Sequence, residues 1–136
     1  MFVTFFLSLA VMDYAVMMKA WNPDFLYEYW MALGIVVVAF AASTAYTCWA
    51  AGMKPRYAYA SFLTVVLLFV GGFLDLFFFL LTASRGEPYD FAPWSLQYKV
   101  FVLNGILPEW GWTGQIIWMS GCLAVIVLIW RYVLKK

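Results

Sequence analysis

Two aspartates stand where the chain otherwise offers only apolar company. Asp75 lies in "GGFLDLFFFL" at 71–80, and Asp13 lies in "FVTFFLSLAVMDYAVMM" at 2–18. Seating an aspartate near the middle of a membrane helix costs roughly 2.5–3.5 kcal/mol. Holding it protonated at neutral pH costs a comparable ~4 kcal/mol against the acidity of the free side chain. Neither form is cheap, so such residues face a bundle interior or a wet cavity and find a partner there. Two carboxylates in unlike surroundings can divide general acid and general base work between them. Two that meet can share a proton.

Other polar or bare positions fall near the same level. Tyr14 adjoins Asp13, and Gly71, one turn before Asp75, leaves its face of a helix open for close packing or for a ligand. Gln115 and Trp118 come at a similar depth on the last apolar stretch, and Glu109 in "LPEWGW" stands at the mouth. The expected site therefore has Asp75, Asp13 and Glu109 as acid and base, with Tyr14, Gly71, Gln115 and Trp118 as ligand-binding residues. The competing reading keeps each aspartate as a structural partner of backbone, Tyr, Trp or Gln, and Glu109 as a surface acid.

These residues need helices to place them, and the composition says which kind. The chain has 136 residues, of which 67% are apolar, 22% aromatic and only 11% charged. Soluble domains carry about 25% charged residues, so this chain has too little polar surface to cover a core in water. It reads as one integral membrane domain, 1–136. The formal net charge is +1 without a basic run, which argues against nucleic acid. There is no histidine, and Cys48 and Cys122 lie in apolar runs without metal-ligand spacing, so no metal and no cofactor is expected.

About 20 mainly apolar residues cross a hydrocarbon core as a helix. Four stretches qualify, at 2–20, 29–51, 59–81 and 112–133. The start lacks the basic region and cleavage site of a secretory signal and is read as a retained first span. Short connections after the first and second spans force antiparallel neighbours. The fold class is thus all-α: four transmembrane helices in an antiparallel bundle. The outer connection 82–111 is longer, with Gly86, Pro88 and Pro93 in a turn-rich part. An interfacial or re-entrant segment, "SLQYKVFVLNGIL", follows between Ser95 and Pro108. Trp94, Tyr98, Trp110 and Trp112 suit an aromatic belt there.

Lys54, Arg56, Arg131, Lys135 and Lys136 share one side with both termini, against Lys19, Arg85 and Lys99 on the other. That bias puts the N- and C-termini in the cytoplasm. Asp24, Glu28, Glu87, Asp90 and Glu109 all lie on the opposite, outward side. At 1.5 Å per residue, Asp13 and Asp75 each sit roughly 10 Å from the outer end of their spans. In the second span, "AFAASTAYTCWAAG" has small-xxx-small spacing at Ala41 and Ala45, Ala39 and Ser43, and Ser43 and Thr47. Such a face serves close helix contact, within the bundle or with a membrane-protein partner.

Three function classes follow. The first is an enzyme or binding protein for a lipid-like molecule, isoprenoid or sterol-like. Acids in an aromatic-rich pocket can protonate an alkene, and ring faces can stabilise a carbocation. On Asp75 and Pro108–Glu109, residues 70–130 resemble the lycopene cyclase domain family. That family has an acid inside one span and a Pro–x–Glu–Glu-like motif opening a later one; here Trp110 stands where further acid belongs. The second class is a non-catalytic subunit or assembly factor of a larger membrane complex. The third is a proton-coupled transporter, resembling the small multidrug resistance exporters in its four short spans with an acid in the first. The long 82–111 connection departs from that pattern.

Overall fold

A computed structural model describes residues 2–19, 26–86 and 100–135. Their regular structure is helical, with no strand among the described residues. The helices are α1 (Phe2–Lys19), α2 (Leu26–Ala50), α3 (Pro55–Val70), α4 (Phe73–Ser84) and α5 (Trp112–Lys135). The chain divides into two compact units. One contains α1, α4, the 100–111 segment and α5 as far as Gly121; the other contains α2, α3 up to Phe69, and α5 from Cys122.

Within the first unit, α1 packs against α4. On α1 the buried residues are Phe6, Leu9, Ala10 and Asp13, a spacing that gathers them on one helical face. On α4 the buried residues are Leu74, Phe78, Phe79 and Thr82. Thr82 Oγ1 donates to the Phe79 carbonyl at 2.9 Å, so its hydroxyl is satisfied within the helix. Phe78 and Phe79 join Trp110 in an aromatic core, with Phe101 and Trp118 packed against it. Phe101 stacks on Trp110 with ring centroids 5.3 Å apart. Two rings of the Phe77–Phe79 run thus serve the protein's own interior, while Phe77 is half-buried.

The 100–111 segment is shaped by Gly105. Gly105 has φ 69°, and its N–H donates to the Val102 carbonyl while the Ile106 N–H donates to the Phe101 carbonyl. This is the Schellman arrangement that ends a helix with a left-handed residue. Pro108 follows shortly after. The earlier part of the expected interfacial segment lies outside the described residues, as do Trp94 and Tyr98.

The second unit starts from a stripe on α2: Tyr29, Leu33, Val37, Ala41 and Thr44 are buried. Cys48 Sγ lies 3.3 Å from Ser61 Oγ, so α3 turns back along α2 after the short connection. Trp130 Nε1 donates to Thr64 Oγ1 at 2.9 Å and ties the end of α5 to α3. Outside these contacts the helices remain apolar. Ile35 on α2 is 68% exposed, and Leu128 on α5 is 63% exposed. Large apolar side chains left uncovered on every long helix call for lipid around them.

Two helices, Met31–Ala50 within α2 and Trp112–Lys135, are each long and apolar enough to cross a membrane. α3 and α4 qualify only together, bent by 46° at their junction, which makes two spans or three among the described residues. The expected span 59–81 is therefore not one continuous helix. Gly71 and Gly72 interrupt it, with Gly72 at φ 79° in the left-handed region that costs a side-chain-bearing residue roughly 1–2 kcal/mol. In α1 the part from Phe2 to Ala15 is an apolar helix that by itself is shorter than a full crossing.

Candidate functional site

Breaking a helix in apolar surroundings leaves backbone carbonyls without their usual donors, each a substantial cost if nothing replaces them. Here α5 supplies the replacements. Gln115 Nε2 donates to the carbonyls of Gly71, at 3.2 Å, and Gly72, at 3.3 Å, the latter also accepting from the Leu76 N–H. One turn further along the same face, Trp118 Nε1 donates to the Val70 carbonyl at 2.9 Å. Gln115 Oε1 in turn accepts from Trp110 Nε1 at 3.2 Å. Gln115 is 0% exposed, and both ends of its amide are used. The two α5 residues expected to meet a ligand thus direct their N–H donors to the broken helix. Gly71 belongs to the break rather than to a bare helix face, and its carbonyl is one of the atoms being held.

The break also relocates Asp75. It is not at the middle of a long helix but in the first turn of α4, whose N-cap is Gly72 without a side-chain cap. A carboxylate in a first turn faces the positive end of the helix dipole, a contribution of about 0.3–1 kcal/mol, and up to ~2 kcal/mol when partly buried. Asp75 is half-buried. Part of the cost of seating an acid here is offset by the helix start itself.

Asp13 has a different setting. It is 6% exposed, inside the α1 face that packs on α4. Its neighbour Tyr14 lies with its ring 6.0 Å from that of Phe78, which is one turn beyond Asp75. The Arg85 guanidinium sits 4.8 Å from the centroid of the same Tyr14 ring. The α1–α4 contact therefore brings the Tyr14 ring against Phe78, one turn beyond Asp75, with an arginine over the tyrosine.

Of the residues expected from sequence, Asp13, Tyr14, Gly71, Asp75, Gln115 and Trp118 all belong to the first unit. Glu109 belongs to it too but is exposed, whereas its neighbour Trp110 is buried and bonded to Gln115. Sequence reasoning placed Trp110 in the interfacial belt and gave Gly72 and Arg85 no part in the site. The available signal was the Gly–Gly pair itself, since two consecutive glycines mark a turn even in an apolar run. Among the described residues no group of three or more His, Cys, Asp or Glu could hold a metal ion.

A second feature lies on α2. A shallow groove of about 500 Å³ is lined by Met31, Gly34, Ile35, Val38, Ala39 and Ala42. Of the small residues noted in this span, Ala41 is buried, while Ala39, Ser43 and Thr47 are exposed. Ser43 Oγ donates to the Ala39 carbonyl and Thr47 Oγ1 to the Ser43 carbonyl, both at 2.8 Å. Those hydroxyls are satisfied by their own helix, as an apolar environment requires.

No protein-family model matches the chain, and neither does any curated protein or solved structure. The likeness to lycopene cyclase domains is carried by Asp75 and Pro108–Glu109 alone, and the first of these opens a helix while the second is exposed.

Proposed function

We propose that the protein is a small multi-pass membrane protein whose first unit holds an acidic site for a lipid-like molecule of isoprenoid or sterol-like type. The observation that supports this reading is the α1–α4 contact, in which buried Asp13 adjoins Tyr14 and the Tyr14 ring meets Phe78, one turn beyond Asp75. The two carboxylates have unlike environments, one enclosed by apolar helix and one at a helix start. Such a pair suits one proton donor and one acceptor. Tyr14 and Phe78 supply ring faces, Arg85 balances part of the charge, and Glu109 marks the outer mouth. Gln115, Trp118 and Gly71 act through the clasp that fixes where α4 begins, rather than by touching the ligand. In this reading α1 and the α3–α4 pair also cross, giving four antiparallel crossings with both termini in the cytoplasm.

A second reading is favoured by the groove on α2: a non-catalytic component of a larger membrane assembly. Gly34, Ala39 and Ala42 would let another helix approach closely. Purification in mild detergent separates the two. A bound isoprenoid or sterol-like molecule, detected by mass spectrometry on a protein without stoichiometric partners, supports the first. A stoichiometric partner chain with no such molecule supports the second and removes the first.

A further inference from the structure

The second unit carries a cluster of cations that the acidic site does not use. Lys54 directly precedes α3, and Arg56 stands in its first turn. Arg131 and Lys135 are in the last two turns of α5. The ends of the two helices are brought together by aromatic contacts. The Arg56 guanidinium lies 5.4 Å from the Tyr57 ring centroid, and the Tyr57 ring lies 6.5 Å from that of Trp130, the residue before Arg131. Trp130 is fixed in turn by its bond to Thr64.

Among the described residues, none of these cations has an acid at its end of the unit. Glu28, the one acid of this unit among the described residues, stands near the start of α2, about 33 Å along the helix from Ala50. Arg56 Nε is buried and has no hydrogen-bond acceptor. The guanidinium rests on the Tyr57 ring, with its Nε open to an acceptor. Lysine and arginine beside tyrosine and tryptophan, at the end of apolar helices and with no acid near them among the described residues, match the chemistry of a phosphate at a membrane surface. Arginine is suited to phosphate through its forked donors, and lysine adds a point charge.

We propose that this end of the second unit, built from Lys54, Arg56, Tyr57, Trp130, Arg131 and Lys135, binds the headgroup phosphate of anionic phospholipids. Each cation near a surface changes such binding about fivefold. The test uses the full chain in mixed detergent micelles with equal phosphatidylglycerol and phosphatidylcholine, reading retained lipid by native mass spectrometry. Wild-type protein retains phosphatidylglycerol with at least a roughly 20-fold preference. The Lys54→Gln/Arg56→Gln pair lowers that preference about 25-fold, whereas Arg56→Lys keeps most of it. Equal helical circular dichroism in all three shows that charge, not folding, is being read. Equal retention of both lipids by wild type overturns the proposal, as does an unchanged preference in the double variant. Displacement of phosphatidylglycerol by millimolar inorganic phosphate also overturns it, by assigning the site to free phosphate instead.

Discussion

Gln115 on α5 holds the carbonyl of Gly71 at 3.2 Å, across 44 positions of sequence. That bond and its companion to Gly72 explain how a helix can stop and restart in an apolar setting. They also explain why Asp75 is tolerable, because a carboxylate that opens a helix is in a better place than one in the middle of it.

Removing the donors of that clasp should destabilise the first unit. Gln115→Leu leaves the Gly71 carbonyl without the Gln115 donor, weakens what the Gly72 carbonyl receives, and frees the Trp110 indole N–H. Hydrogen bonds between membrane helices average about 0.6 kcal/mol, with a maximum near 1.7, and an orphaned group adds its own cost. The expected loss is about 1–2 kcal/mol, read as the shift in an SDS-unfolding midpoint. No shift would mean that water or another donor takes over.

Gly72→Ala should cost about 1–2 kcal/mol in the same assay, because φ 79° places a Cβ against the following carbonyl. Gly34→Ala is the control. An added Cβ at Gly34 has nothing within 4 Å, so this change should leave unfolding of the isolated protein near wild type.

The Tyr14 ring joins α1 to α4 through Phe78 and Arg85. Arg85→Gln is expected to cost about 0.5–1 kcal/mol, the range for an exposed cation–ring contact. Tyr14→Leu should cost more, since it removes both ring contacts. If the two variants are equally mild, Tyr14 is not the link between these helices.

Parts of this arrangement are legible in the sequence. Apolar runs at 29–51 and 112–133 are long and uninterrupted, and both became helices within a few residues of those limits. Asp75 stands out in any reading, because one acid among phenylalanines has no average to hide in. The helix break was harder to read. Glycine is common in membrane helices, so Gly71–Gly72 inside an apolar run is compatible with one span. What turns the pair into a break is a partner on α5, and Gln115 and Trp118 reveal that role only when their shared face is set against the carbonyls of residues 70–72. The contact made by Arg85 is hidden in the sequence for a similar reason. Its place over Tyr14 depends on a contact between helices far apart in sequence.

The α2 groove gives a separate prediction for assembly. Gly34→Leu and Ala42→Leu fill an open surface without entering the core. Stability of the isolated protein should change by less than about 0.5 kcal/mol, as for surface positions in general. If a membrane-protein partner packs there, co-purification of that partner drops at least tenfold. Unchanged co-purification would move the contact to another face.

The acidic site is tested most directly by extracting the purified protein with organic solvent and measuring bound isoprenoid or sterol-like molecules per chain by mass spectrometry. The comparison is wild type against Asp13→Asn and Asp75→Asn, each checked for helical content. The account predicts near-stoichiometric ligand in wild type and a loss of about tenfold or more in each variant. Wild-type protein without such a molecule, or folded variants that keep it in full, would contradict the account.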